Sequence, residues 1–250
     1  MKARHIPYLA AAVLLVAAAL LLIHRFGWFD TSTAPVVLPD TSPYAASPPP
    51  EGRGGLIPAK VTPETVQAVV ATLSRPDGYS RELQVVSSWL GGEAAWQVQV
   101  WHKGSSTRIR ITPETEGEPE KDVLIQDREI LIRYGDDRRV FRSTAGSPAL
   151  TDALQLIPSY EDVLALEPGQ IKEAGYVEQD GVWRILVAAR EEPTGYLMRY
   201  YVSIETGLLE AADRLDGDQL IYSMRAQQAD LAAPEDEVFL PDWAFILNSP

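Results

Sequence analysis

Ala94-Ala-Trp-Gln-Val-Gln-Val-Trp-His-Lys103 is the stretch whose pattern decides the fold. Trp96, Val98 and Val100 point one way and Gln97, Gln99 and Lys103 the other, the two-residue period of a half-buried β-strand. After Gly104-Ser-Ser106 the pattern repeats, with Ile109 and Ile111 alternating with Arg108 and Arg110. Far along the chain, Leu220, Tyr222 and Met224 alternate with Gln219, Ser223 and Arg225. One face of the resulting sheet is apolar and has to be covered.

Working outward, the first set of strands is predicted at residues 81–90, 94–103, 107–112, 122–126, 129–134 and 139–143, separated by turn signals such as Gly91-Gly92 and Gly135-Asp-Asp137. A helical break spans 145–169, with Leu150, Leu154 and Ile157 on one short face and Ser159 capping a second helix through Asp162. Strands resume at 171–178, 182–190, 196–204, 208–215 and 219–227. Before the first strand, Thr62 as N-cap, Pro63, and Val66, Val69, Val70 and Leu73 at helical spacing predict an amphipathic helix. Eleven tightly joined strands predict a mainly β (α+β) domain: a strongly curved antiparallel sheet forming a half-open barrel with short covering helices.

The segment before this domain has a different character. Ile6 to Ile23 is an uncharged apolar run that follows Lys2 and Arg4 and precedes Arg25, Phe26, Trp28 and Phe29. At about 1.5 Å per residue it reaches about 27 Å, close to the roughly 30 Å hydrocarbon core. Its length and the bulky residues after it favour an uncleaved single-pass anchor, with a cleaved signal as the alternative. Seven prolines (35, 39, 43, 48, 49, 50 and 58) make the next segment an extended spacer. The expected layout is an anchor at 1–30, a Pro-rich linker at 31–60, the β domain at 61–242 and a tail at 243–250. The expected location is the cell membrane, with the C-terminal domain outside the cytoplasm.

Composition excludes several function classes. The absence of cysteine removes disulfides, thiolate metal sites and cysteine nucleophiles. Setting aside Lys2, Arg4, Arg25 and Asp30 from the 22 basic and 35 acidic residues leaves a net charge of −15. Such a surface repels nucleic acid and anionic lipid headgroups. His102 is the single histidine beyond the anchor, and no nucleophile-elbow, metalloprotease or phosphate-loop motif occurs. Asp213, Asp216 and Asp218 are close in sequence but lack the spacing of a calcium loop and read as a solvated turn. Glu173, Glu178 and Asp180 are the carboxylates considered for glycoside cleavage, with nothing that favours them. The reading assigns no catalytic residue, no metal and no cofactor.

Aromatic residues concentrate in the strands: Trp89, Trp96, Trp101, Trp183, Tyr196, Tyr200, Tyr201 and Tyr222. Sheets favour such rings for packing alone. The alternative is that some of them line an apolar trough, for which the candidates are Trp89, Trp96, Val98, Val100, Ile109, Ile111, Tyr200, Tyr222 and Met224.

The order of these elements carries a resemblance. The helix Thr62-Pro-Glu-Thr-Val-Gln-Ala-Val-Val-Ala-Thr-Leu73 precedes a first meander containing Trp96-Gln-Val-Gln-Val-Trp101 and Ile109-Arg-Ile111. After a helical interruption, a second meander contains Tyr200-Tyr-Val-Ser-Ile-Glu-Thr-Gly-Leu-Leu209, and Phe239-Leu-Pro-Asp242 closes it. Across residues 61–242 this resembles the superfamily of lipoprotein carriers and sensors typified by LolA, LolB and the amino-terminal domain of RseB. The resemblance implies an incomplete barrel with helices over its opening, enclosing a cavity for lipid or lipoprotein acyl chains. It also departs from the pattern, since the periplasmic carrier is released by signal cleavage and the outer-membrane receptor is held by a lipidated cysteine, which this chain lacks. A static, membrane-tethered binder of a lipid, a lipoprotein acyl chain or another apolar ligand is the function that follows. An envelope sensor, or a module that interacts with and stabilises another cell-envelope protein, is the alternative.

Overall fold

The computed structural model describes residues 60–115, 117–137, 139–144 and 157–244. The anchor, most of the linker and the predicted helical face at Leu150 and Leu154 lie outside the described residues. Among the described residues, no helix is long and apolar enough to cross a membrane.

All eleven predicted strands form: β1 (Gly78–Trp89), β2 (Gly92–Lys103), β3 (Ser106–Pro113), β4 (Lys121–Gln126), β5 (Glu129–Tyr134), β6 (Val140–Thr144), β7 (Ile171–Gln179), β8 (Val182–Arg190), β9 (Leu197–Ser203), β10 (Leu209–Asp216) and β11 (Gln219–Asp230). They make one sheet in the order β6-β5-β4-β3-β2-β1-β11-β10-β9-β8-β7, antiparallel at every pair. The chain walks outward from β1 to β6, crosses over, and walks back from β7 until β11 pairs with β1. The sheet stays open, with β6 and β7 as its two edges.

The two halves differ in regularity. Pairing runs from β1 to β6 without a register shift, whereas shifts occur between Glu82 and Leu83, Leu209 and Ala211, Arg214 and Leu215, and Ile171 and Glu173. Such bulges increase local twist and bend the strand, so curvature concentrates around β11, β10 and the far edge.

Register places Leu83 opposite Val98, Val98 opposite Ile111, and Leu83 one step from Met224 by way of Val85. The inner face therefore collects Leu83, Val85, Val98, Val100, Ile109, Ile111, Val123, Ile185, Val187, Val202 and Met224 in one buried core. Two helices cover part of it. α1 (Val66–Thr72) buries Val66 and Val70, and α2 (Tyr160–Ala165) buries Val163. Gln67 Nε2 joins the helices by donating to the carbonyls of Val163, Leu164 and Leu166 at 3.2, 3.0 and 2.7 Å. α1 begins later than its sequence predicts. Thr62 does not cap it through its side chain; its carbonyl accepts from Thr65 and Val66 and closes a turn over Pro63 and Glu64 first. Ser159 does precede α2 as predicted, and its N–H donates to the Asp162 carboxylate at 2.6 Å.

The outer face carries a second cluster of Leu124, Leu131, Phe239 and Trp243. The segment after β11 folds back over β3, β4 and β5, so Trp243, read from sequence as the start of a tail, is buried at 5% exposure. Asp122 holds it there. Its carboxylate receives Arg108 Nε at 3.0 Å and Nη2 at 2.6 Å, and Trp243 Nε1 at 3.1 Å. Arg108 Nη1 donates in turn to the Val238 carbonyl at 2.8 Å.

Candidate ligand-binding cavity

The inner face is not filled to its end. Beyond the part covered by α1, a cavity of about 660 Å³ opens between the sheet and the segment leading into α2. That volume lies within the roughly 300–1,000 Å³ typical of small-molecule sites. Strands supply its walls through inward positions. Val100, Ile109, Ile125 and Met198 are apolar lining, while Tyr79, Arg81, His102, Tyr200, Arg214 and Tyr222 bring polar atoms. Ile157 and residues 158–162 form the side contributed by the crossover.

The rim is pinned by Arg75. Its guanidinium donates to Val70 O at 2.7 Å, Leu73 O at 3.1 Å and Gly207 O at 3.2 Å, and it lies 3.7 Å from the centre of the Tyr160 ring. One side chain thus satisfies carbonyls at the end of α1, holds the β9–β10 turn and carries the start of α2. Gly207 makes this approach possible. Its φ is +65°, and a Cβ there would lie 2.9 Å from both Arg75 Cγ and Ser74 O.

Several of the polar groups fall into pairs. His102 Nδ1 is 2.9 Å from Thr107 Oγ1, and its ring is 5.2 Å from that of Tyr79. Burial pushes the His102 pKa below its ordinary value, against the opposing pull of Glu161. Burial likewise raises the Tyr79, Tyr200 and Tyr222 hydroxyls, so these remain neutral hydrogen-bonding groups. Tyr160 is pushed up to about 12 by burial, with Glu161 adding to the effect. Arg214 Nη2 donates to Glu191 Oε1 at 2.9 Å. Arg81 has no such carboxylate. It is 8% exposed, donates Nη1 to Leu209 O at 2.7 Å, and leaves its Nε buried without a hydrogen-bond partner.

The structure distributes the nine candidates read from sequence. Val100, Ile109, Tyr200 and Tyr222 line the cavity. Val98, Ile111 and Met224 face the same side but are buried in the core with α1. Trp96 is half-buried beside that core. Trp89 sits at the β1–β2 turn with 55% of its surface exposed, because the strand ends there. Tyr79, Arg81, Thr107, Ile125, Met198 and Arg214 line the cavity without having been candidates.

The carboxylates considered from sequence are placed elsewhere. Asp213 is buried and receives Arg225 Nη2 at 2.6 Å, while Asp216 and Asp218 are exposed at the β10–β11 turn. Glu173, Glu178 and Asp180 are exposed on and beside β7. Among the described residues, no group of three or more His, Asp or Glu side chains could hold a metal.

No family profile and no curated protein matches the chain. Its fold is similar to that of several solved structures. An uncharacterized conserved protein from Thermus thermophilus is 10% identical, with a TM-score of 0.46 over 71% of this chain and 91% of that one. A LolA superfamily protein from Nitrosomonas europaea is 11% identical, with a TM-score of 0.36 over 73% of this chain and 99% of that one. A DUF1329 family protein from Desulfovibrio piger is 14% identical, with a TM-score of 0.34 over 71% and 95%. The functional reading rests on the geometry of this chain.

Proposed function

We propose that this chain is a membrane-tethered, extracytoplasmic binding protein that holds a lipid, a lipoprotein acyl chain or a comparable apolar ligand in its half-barrel. The observation that carries the reading is the cavity of about 660 Å³, walled by Val100, Ile109, Ile125, Ile157 and Met198. A side-chain-filled interior would close this space, as Leu83, Val98 and Met224 do beneath α1. Each buried methylene contributes about 0.8 kcal/mol, so ten supply about 8 kcal/mol before the cost of association is subtracted. His102 is engaged with Thr107 and Tyr79, and the reading asks no chemistry of it.

The domain spanning residues 56–250 should bind a fluorescent fatty acid and carry lipid through purification, detected by extraction and mass analysis. Ile125→Glu places a charge in the cavity wall and should weaken probe binding at least about tenfold, by the cost of desolvating that charge. No extracted lipid together with no probe binding would overturn the reading.

The protein-interaction alternative draws support from β6. Its outer edge has no strand partner among the described residues, and Phe141 on it is 53% exposed. Stoichiometric, salt-sensitive recovery of one envelope protein on the full chain, lost with Phe141→Lys, would favour it.

A further inference from the structure

Arg81 sits on β1 between Val100 of β2 and Ala229 of β11, at an inward position. Among the described residues no other Lys or Arg is buried to the same degree. None of the ion pairs among these residues includes it. A buried guanidinium normally comes with a carboxylate, because a charge removed from water needs a counter-charge and five N–H donors need acceptors. Arg81 has one carbonyl acceptor, Leu209 O, and a bare Nε. Acidic residues are plentiful in this chain, which carries 35 of them against 22 basic residues.

The carboxylates along the cavity make their hydrogen bonds elsewhere, and Glu161 acts on Arg81 only through its charge. Glu191 receives Arg214, Asp162 receives the Ser159 N–H, and Glu161 is hydrogen-bonded to Tyr160. Arg214, also on the cavity wall, keeps a second unpartnered Nε beside its pair with Glu191. The cavity therefore joins apolar walls to two arginine side chains, of which Arg81 has no carboxylate partner.

We infer that the cavity selects an anionic amphiphile, its carboxylate or phosphate head received by Arg81 and its hydrocarbon tail lying along Val100, Ile109, Ile125 and Met198. This rests on the cavity reading above and narrows it from any apolar ligand to one with a negatively charged head. A guanidinium suits both heads, because its parallel N–H groups match two oxygens of either. The acidic exterior does not oppose this, since the head is bound inside the sheet and away from that surface.

The test uses the full chain in phosphatidylcholine nanodiscs and a photoreactive C16 fatty acid, with labelling of cavity peptides read by mass spectrometry. Palmitate, hexadecyl phosphate and methyl palmitate compete for labelling. At least one anionic competitor should act at a concentration at least about tenfold below that of the neutral ester, the scale of a charge-assisted hydrogen bond. Which of the two is stronger identifies the head. Arg81→Met should bring acid and ester within about twofold of each other while the ester still competes. The wild-type comparison of acid with ester needs no variant, so misfolding of Arg81→Met leaves the test standing. Equal competition by acid and ester in the wild type, or an unchanged ratio in a folded Arg81→Met, would overturn the inference and leave the cavity reading intact. Absence of cavity labelling and of competition by every compound would overturn both.

Discussion

Arg108 and Arg81 lie on opposite faces of the same sheet, and both are taken out of water. Arg108 on the outer face meets Asp122 through two hydrogen bonds, at 3.0 and 2.6 Å, and directs a third to Val238 O. Arg81 on the inner face meets one carbonyl, with its guanidinium 5.8 Å from the centre of the Tyr79 ring. The outer arginine is fully paired and fixes the chain's last described segment. The inner one lines the cavity without a carboxylate partner. A satisfied buried ion pair serves the fold, whereas an unsatisfied buried cation beside a cavity is a demand that a ligand can meet.

The largest effect expected from this contrast is on stability and belongs to the outer face. Asp122 is 1% exposed and serves Arg108 and Trp243, so Asp122→Asn leaves a guanidinium facing a neutral amide. Breaking such a pair from one side costs about 3 kcal/mol or more. For a domain of this size that lowers Tm by roughly 6–12 °C. Thermal unfolding of the two proteins measures it, and Trp243 fluorescence reports whether the segment has lifted. A loss below about 1 kcal/mol would mean that the apolar cluster of Leu124, Leu131 and Phe239 holds the segment without the ion pair.

Arg81→Met should behave in the opposite way. Without ligand it removes a buried charge that lies in no ion pair and fills similar volume with methylenes, at the cost of one donor to Leu209 O and the contact with the Tyr79 ring. The two effects offset, so stability should change by no more than about 1 kcal/mol in either direction. Urea unfolding of ligand-free protein decides this. A destabilisation comparable to that of Asp122→Asn would make Arg81 a structural residue like Arg108 and erase the distinction between the faces.

Much of the fold was legible because strands write themselves twice, once as alternation and once as the turn residues between them. Trp96, Val98 and Val100 against Gln97 and Gln99 gave both the element and its inward face. The same alternation held an unread signal. Arg81 shares parity with Leu83 and Val85, so a charge stood in an apolar row and pointed inward. Other features lie beyond any local pattern. Val98 and Val100 are identical in kind and adjacent in parity, yet one is sealed beneath α1 and the other faces the cavity. Only the crossing of the helices separates them. Asp122 and Trp243 are 121 positions apart, and nothing near either residue announces the partner.

The smallest expected effect concerns acid and links the two faces through occupancy. His102 faces Thr107 from β3, Tyr79 from β1 and the charge of Glu161 from α2, and burial holds its pKa below the ordinary 6.5. The unfolded chain therefore takes up a proton at a higher pH than the folded one. Stability should fall as pH drops through 6.5 and level off once the folded imidazole is protonated too. His102→Gln should remove that part of the slope, measured by urea unfolding between pH 5 and 8. Arg81 is two positions along the same face from Tyr79, the strand partner of His102. An anion on Arg81 would favour the imidazolium and raise the His102 pKa toward its ordinary value. Saturating palmitate should therefore flatten the acid slope of the wild type, whereas methyl palmitate should leave it in place. An equal slope with both compounds would place the charged head away from this end of the cavity.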